Sequence, residues 1–148
     1  MNTFQIGFIG LGLIGGSVAK SIRRIFPGYT IIGYDADKNT VIEAYKDGTL
    51  TRYTDSIADI AVCDYIFLCA PVHYNIEYLK LLKPLIQENC ILSDVGSVKT
   101  DIYNAVKELE LGRHFIGGHP MVGSERSGYD AASDRLIENA YYFITPSP

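Results

Sequence analysis

Three glycines and a carboxylate are the first residues of this chain whose types and spacing suggest a chemical role. Gly10, Gly12 and Gly15 come directly after the apolar run 4–9 and open a helix-like stretch, and Asp35 lies twenty residues after Gly15. In such a pattern the first glycine allows a tight turn, the second lets the backbone approach a pyrophosphate, and the third lets helix and strand pack closely. Phosphates then bind the N–H groups of the helix N-terminus. The pattern predicts a dinucleotide site, and the alternative is a glycine-rich helix entry that binds nothing.

Asp35 indicates which dinucleotide is expected. A carboxylate at the end of the second strand can accept hydrogen bonds from the adenosine ribose hydroxyls, and its charge repels a 2'-phosphate. Asp37 adds negative charge and no arginine stands at 36 or 37, although Lys38 is close. We therefore expect NAD rather than NADP as the cofactor.

Two later predicted strands end in segments rich in polar groups. Ser97 follows the strand predicted at 91–94, and His119 follows the strand predicted at 115–117 in a segment that also carries a carboxylate and two hydroxyls. Ligands of open parallel sheets bind beyond the carboxyl ends of the strands, so we expect the donors around Ser97 to lie near the nicotinamide half of the cofactor. The residues predicted to contact the cofactor are Gly10, Gly12, Leu13, Ile14, Gly15, Asp35, Ala70, Pro71 and Ser97.

Strands alternate with helices along the whole chain. Apolar runs predict strands at 4–9, 30–34, 51–53, 65–69, 91–94, 115–117 and 141–144, and helical spacing after Gly12 and at 39–46, 73–87 and 99–109 predicts the helices, with an irregularity at Pro84. A continuous apolar run is typical of a parallel strand that is buried on both faces. The alternation predicts an α/β fold of the Rossmann type, a doubly wound, mostly parallel sheet with helices on both faces.

The composition is that of one compact domain spanning residues 1–148. The chain is 47% hydrophobic and 20% charged, which suffices for a real core. Its net charge of −4 provides no basic field, so neither a nucleic acid nor a membrane surface is expected as a partner.

Cys63, Cys69 and Cys90 lack CxxC spacing and are expected to be buried, reduced thiols of a cytoplasmic protein. The proline-rich stretch 145–148 is interpreted as a linker to a further domain.

Three motifs taken together resemble the prephenate dehydrogenase family, enzymes of tyrosine biosynthesis, in the N-terminal NAD-binding domain. They are GLGLIGGS at 10–17, DVGSVK at 94–99 and GGHPMVGSE at 117–125. The resemblance implies NAD-dependent oxidative decarboxylation of prephenate to 4-hydroxyphenylpyruvate. It also implies a helical C-terminal domain, absent from this chain, that forms a homodimer and supplies much of the substrate pocket. We therefore expect the isolated chain to be inactive.

The same resemblance implies roles for the polar segments. His119, if neutral near pH 7, can accept the proton of the ring alcohol as a general base. Ser97 could orient the imidazole and also touch the nicotinamide, while Ser124 and Glu125 could shape or gate the substrate side. The alternatives are a loop histidine that caps local backbone groups and a solvated loop carboxylate.

Several alternatives remain open at the level of sequence. Lys99 could attract a substrate carboxylate or form a structural pair with Asp94 or Asp101. His119 and Glu125 lie six residues apart with no second histidine or cysteine nearby, so no metal site is expected. Other functions that the sequence allows are an arogenate dehydrogenase, a β-hydroxyacid-type dehydrogenase domain and a non-catalytic NAD-binding module.

Overall fold

The observed elements follow the predicted alternation of strands and helices. The computed structural model describes residues 3–147. Its strands are β1 (Gln5–Ile9), β2 (Thr30–Tyr34), β3 (Arg52–Tyr53), β4 (Tyr65–Leu68), β5 (Ile91–Asp94), β6 (Phe115–Pro120) and β7 (Tyr142–Pro146). Its α-helices are α1 (Leu13–Ile25), α2 (Lys38–Lys46), α3 (Ile57–Ile60), α4 (Val72–Leu82) and α5 (Thr100–Glu108). Helix α3 was not predicted, because four residues are too few to display a helical period.

The strands of residues 3–147 form one sheet in the order β3-β2-β1-β4-β5-β6-β7. Neighbouring strands are parallel except β6 and β7, which pair antiparallel. The strand order reverses between β1 and β4, and these strands end side by side because Ile9 pairs with Leu68. Ligands of doubly wound sheets bind in the crevice at such a reversal. The predicted α/β fold is confirmed, and its crevice lies where the glycine turn begins.

Helices cover the sheet through two separate apolar clusters. One cluster joins Phe8 and Ile31 of the sheet to Val18 of α1 and Val41 of α2. The other joins the sheet to the remaining helices through side chains that are fully buried, namely Ile60, Ile66, Leu79, Leu92 and Ile102. Each such side chain contributes roughly 1.5–3 kcal/mol relative to an exposed one, so the strands are held firmly in register. No helix in residues 3–147 combines the length and the apolarity that a membrane crossing requires.

Most element bounds agree with the sequence prediction within two residues, although β7 (Tyr142–Pro146) extends into the stretch 145–148 that was interpreted as a linker. Two larger differences have a clear physical cause. Helix α4 ends at Leu82 rather than near Gln87, because Pro84 has no N–H group to continue the helical hydrogen bonds. Strand β6 continues through His119 to Pro120 instead of ending at Gly117. The extension results from pairing with β7, whose Phe143 lies opposite His119. His119 is therefore a strand residue and not a loop residue.

A long return segment, residues 121–141, connects β6 to β7 by crossing helix α1. Tyr129 lies in a short 3-10 helix of this segment, and its hydroxyl donates to Asp47 at 2.6 Å. The Ser133 N–H donates to the Ser17 hydroxyl of α1 at 3.0 Å. A Cβ atom at Gly16 would lie 2.8 Å from the Tyr129 ring, so only glycine allows this approach. The segment that follows His119 is thereby tied to the helix that the glycine turn begins.

Candidate active site

The glycine turn has the geometry that each of its positions requires. Gly10 has a φ of +93°, and a Cβ atom there would lie 2.7 Å from the Cys69 carbonyl carbon. A Cβ atom at Gly15 would collide with the Gly10 carbonyl oxygen. Gly12, in contrast, faces open space, since a Cβ atom there would have no neighbouring atom within 4 Å. The first and third glycines therefore serve the fold, and the second leaves room in front of the α1 N-terminus for a ligand.

Asp35 is held at the carboxyl end of β2 by two backbone donors. Its Oδ2 accepts from the Leu11 N–H at 2.8 Å, and its Oδ1 accepts from the Asp37 N–H at 2.9 Å. A carboxylate offers about four lone-pair sites, so both oxygens retain capacity for a further donor such as a ribose hydroxyl. The carboxylate is half-buried. Its bond to Leu11 fixes it directly beside the glycine turn.

Two cavities meet at Asp35 and Ala36. The cavity on the side of the glycine turn has a volume of about 420 Å³ and is lined by Gly10, Gly12, Asp35, Ala36, Cys69, Ala70, Pro71, Tyr74 and Tyr78. The cavity on the side of β3 has a volume of about 590 Å³ and is lined by Tyr34, Asp35, Ala36, Lys38, Val41, Ile42, Tyr53, Thr54 and Asp55. This elongated crevice, with an acid at its middle and open space at Gly12, fits an extended dinucleotide. Five of the residues predicted to contact the cofactor line it.

Asn75 is a buried residue behind the crevice lining, hydrogen-bonded to Ala70, that sequence reasoning missed. Its side chain is 2% exposed, and its Oδ1 accepts from the Ala70 N–H at 3.1 Å. Its Nδ2 donates to the carbonyl oxygens of Ala70 and Leu68 at 2.8 and 3.3 Å. The amide thus holds the turn between β4 and α4 in place. The sequence did contain one signal for this role. Asparagine, a polar residue, stands at a position where the helical pattern predicts a buried side chain.

Tyr78 closes the crevice from helix α4. Its ring meets Tyr34 edge-on, with centroids 5.7 Å apart. Burial raises the pKa of Tyr78 to about 12, and the neighbouring Tyr34 hydroxyl adds to the shift. Tyr78 therefore remains a neutral phenol at physiological pH and contributes shape and a hydroxyl rather than charge.

A buried ion pair joins the ends of β5 and β6. The Asp94 side chain is 1% exposed, and its Oδ2 lies 2.7 Å from Lys99 Nζ. The ammonium also donates to the carbonyl oxygens of Gly96, at 2.6 Å, and Gly118. Lysine has three donors, so all of them are engaged within the protein. Lys99 is thus the structural partner of Asp94, not of Asp101, and does not offer a donor to a substrate carboxylate.

Ser97 and His119 each follow a residue that this ion pair binds. Ser97 comes after Gly96 and is exposed, and His119 comes after Gly118 and is half-buried. The two residues therefore lie on neighbouring strand ends at the carboxyl edge of the sheet. Their proposed catalytic roles remain predictions.

Ser124 and Glu125 are exposed and belong to the return segment, a few residues beyond the end of β6. The Ser124 hydroxyl accepts from the Arg126 N–H at 3.1 Å and so closes a local turn. The structure joins neither side chain to His119, and their place on the substrate side remains a prediction.

Tyr142 is a second residue at this edge that sequence patterns did not indicate. A Cβ atom at Gly118 would lie 3.0 Å from the Tyr142 hydroxyl, so the ring packs directly on the β6 backbone. Burial raises the pKa of Tyr142 well above its ordinary value, and nearby Cys69 and Asp94 add to the shift. Only the pairing of β7 with β6 brings this ring to the site.

The three cysteines are free thiols in the structure. Cys63 and Cys90 are buried, and burial raises the pKa of Cys63 to about 12 and that of Cys90 to about 11. Cys69 differs from the prediction in being only half-buried, because it lines the crevice. In the described range 3–147, no group of three or more histidine, cysteine or acidic side chains is arranged to hold a metal ion.

Comparisons with known proteins agree with one another. The family model described as "Prephenate dehydrogenase, nucleotide-binding domain" matches residues 18–148, which begin just after the glycine turn. Prephenate dehydrogenase of Bacillus subtilis is 37% identical over 140 residues, which are 93% of this chain and 38% of that protein.

Solved structures show the same likeness. The arogenate dehydrogenase of Synechocystis superposes with a TM-score of 0.89 at 35% identity, covering 97% of this chain and 50% of that one. The prephenate dehydrogenase of A. aeolicus, solved with hydroxyphenyl propionate and NAD+, has a TM-score of 0.89 at 33% identity, covering 99% of this chain and 52% of that one. The present chain thus spans between about two-fifths and one half of the length of these relatives.

Proposed function

Because this chain belongs to the prephenate dehydrogenase family through its nucleotide-binding domain, we propose that it is the NAD-binding part of an enzyme of tyrosine biosynthesis that converts prephenate to 4-hydroxyphenylpyruvate. The substrate is oxidised and loses carbon dioxide, and bound NAD accepts the hydride. The observation that carries the proposal is the shared carboxyl edge of one sheet, where the turn from Gly10 to Gly15 precedes α1 and where β5 and β6 lead to Ser97 and His119.

The crevice residues suit NAD in particular. The open space at Gly12 admits a pyrophosphate to the N-terminus of α1, where backbone N–H groups are available. Asp35 accepts hydrogen bonds from ribose hydroxyls and disfavours a 2'-phosphate through its charge. The A. aeolicus relative, solved with NAD+, supports the same choice.

His119 is the proposed general base. The ring alcohol of the substrate must release its proton as the hydride leaves the same carbon, and a half-buried imidazole at a strand end can hold that proton. Ser97 is proposed to orient the imidazole and to touch the nicotinamide. Breaking the bond to the carboxylate then releases carbon dioxide and leaves an aromatic ring, which supplies the driving force. Ser124 and Glu125 are proposed to shape the substrate side.

Arogenate is the second candidate substrate. It is favoured by the likeness to the Synechocystis arogenate dehydrogenase, whose TM-score equals that of the A. aeolicus prephenate dehydrogenase. The two substrates differ in a side chain remote from the ring alcohol, so the same base and the same cofactor site serve both.

We further propose that a second, helical domain completes the enzyme. The relatives are about twice as long as this chain or longer, and such a domain would supply homodimer contacts and cationic groups for the substrate carboxylates. The proposed compartment is the cytoplasm, because three free thiols suit a reducing environment.

The test measures NADH formation with prephenate and with arogenate in a form of the protein that includes the second domain. His119→Asn is expected to lower kcat by roughly 100-fold to 10,000-fold while NAD affinity stays nearly intact. His114→Asn is the matched control, since His114 lies at the other end of β6 and its Nδ1 is hydrogen-bonded to the Cys90 carbonyl. Unchanged turnover in His119→Asn would remove His119 from catalysis, and failure to oxidise either substrate would refute the proposed reaction.

A further inference from the structure

One ion pair binds both glycines that precede the candidate catalytic residues. Lys99 Nζ donates to the carbonyl oxygens of Gly96 and Gly118, and also to Asp94. Asp94 in turn accepts from the Gly96 N–H at 3.3 Å through Oδ2 and from the Gly118 N–H at 3.2 Å through Oδ1. All four backbone polar groups of these two glycines are therefore engaged by the same pair.

The packing around the ion pair leaves little freedom for either glycine. A Cβ atom at Gly118 would lie 2.6 Å from the Asp94 carbonyl oxygen, and one at Gly96 would lie 3.2 Å from Asp94 Oδ2. The exposed fractions of the Asp94 and Lys99 side chains are 1% and 17%, so solvent screens the pair weakly. Hydrogen bonds to buried charged groups are among the stronger ones in proteins. The pair thus acts as a rigid clamp between the turn after β5 and the end of β6.

We propose that Asp94 and Lys99 are positioning residues that set the placement of Ser97 relative to His119. The clamp fixes the backbone one residue before each side chain, and these side chains come from separate strand ends that no sequence-local contact could align. The catalytic meaning of this placement rests on the proposed function, whereas the clamp itself does not. Neither Asp94 nor Lys99 needs to contact substrate to act in this way.

The test uses the 148-residue chain and reads structure directly. Lys99→Met removes the ammonium but leaves a buried, unpaired carboxylate, which is expected to destabilise the protein. The double variant Asp94→Asn/Lys99→Met removes both charges and is expected to recover most of that stability. Lys107→Met, on the exposed face of α5, is the control. Thermal unfolding, amide exchange and NMR spectra of the Ser97 amide and the His119 imidazole are recorded for each.

In the double variant, the Gly118 amide is expected to exchange about 10- to 100-fold faster than in the parent chain. The resonances of Ser97 and His119 are expected to shift together even though stability has recovered. The control, Lys107→Met, should change neither the exchange rate of the Gly118 amide nor the resonances of Ser97 and His119. If the double variant regains both stability and the parent resonances, the pair has only a structural role and the proposal is overturned.

The two proposals fail in distinguishable ways. A normal exchange rate at Gly118 in the double variant refutes the clamp, whatever substrate the enzyme uses. Accelerated exchange together with full turnover in His119→Asn leaves the clamp intact but refutes the proposed catalytic role of His119.

Discussion

At the scale of single residues, we propose that the Asp35 carboxylate sets a preference for NAD over NADP. The carboxylate is fixed beside the glycine turn by Leu11, so a 2'-phosphate would meet a like charge that cannot easily move away. We expect NAD to bind at least about tenfold more tightly than NADP. Asp35→Ser combined with Asp37→Arg should move the preference toward NADP. Calorimetry of both cofactors tests this, and equal affinities in the unaltered chain would refute the assignment.

A substitution at Gly12 is expected to affect NAD binding much more than the stability of the fold. A Cβ atom there would meet no protein atom within 4 Å, so Gly12→Val should change the unfolding free energy by only about 1 kcal/mol. The valine would occupy the space that the pyrophosphate needs, and NAD binding should be lost. Gly28→Val is the matched control, because Gly28 also faces open space but lies away from the crevice. Unaltered NAD affinity in Gly12→Val would mean that the turn does not hold a pyrophosphate.

At the scale of elements, the return segment depends on Tyr129 to hold it against α1. The phenol is 8% exposed, its hydroxyl donates to Asp47 at 2.6 Å, and its oxygen lies 3.0 Å from the Thr49 hydroxyl. Tyr129→Phe should therefore lower the unfolding free energy by about 1–3 kcal/mol in urea titrations at neutral pH, whereas Tyr45→Phe on an exposed face of α2 should be neutral. A loss no larger than that of the control would show that the segment is held in another way.

The hydrogen bond from Tyr129 to Asp47 also makes the stability of the protein depend on pH. Burial alone would raise the pKa of Asp47, but hydrogen bonds from Tyr129 and Thr49 hold it below the ordinary value of 3.8. A carboxyl whose folded pKa is lowered stabilises the protein above its unfolded pKa and loses that contribution as the pH falls through the folded pKa. The stability loss below about pH 4 should therefore be shallower in Tyr129→Phe than in the parent chain. Urea titrations of both proteins at a series of acidic pH values measure the difference, and identical pH profiles would contradict it.

At the scale of the whole molecule, cofactor binding and turnover are expected to be separable. The sheet and both cavities of the crevice lie within the described residues 3–147, so the 148-residue chain should fold and bind NAD. It should oxidise prephenate slowly or not at all, because orienting a substrate can account for about 7–11 kcal/mol of the barrier and the proposed cationic groups belong to a second domain. Calorimetry with NAD tests the expected binding, and an NADH absorbance assay tests the expected lack of turnover. Full activity of the 148-residue chain alone would contradict the second expectation.

Features with local causes could be predicted from the amino-acid sequence. The turn at Gly10, Gly12 and Gly15 depends on which neighbouring residues lack a side chain, and the bounds of β2 and β5 matched their apolar runs. Asp35 could be found because a fixed number of residues separates the glycine turn from the end of the next strand in a βαβ unit. Periodicity also predicted the layers of helices, since burial of one apolar face repeats every few residues.

Features that arise from contacts between distant parts of the chain became visible only in the folded protein. Local signals ended β6 at its glycines, but pairing with β7 extends it through His119. Tyr129 meets Asp47 across 82 positions of sequence, and the Gly118 N–H meets Asp94 across 24. The partner of Lys99 was likewise undecided among nearby acids until folding enclosed it with Asp94. Such contacts form only when the sheet brings strand ends together, and no sequence-local pattern encodes which buried polar groups will then face one another.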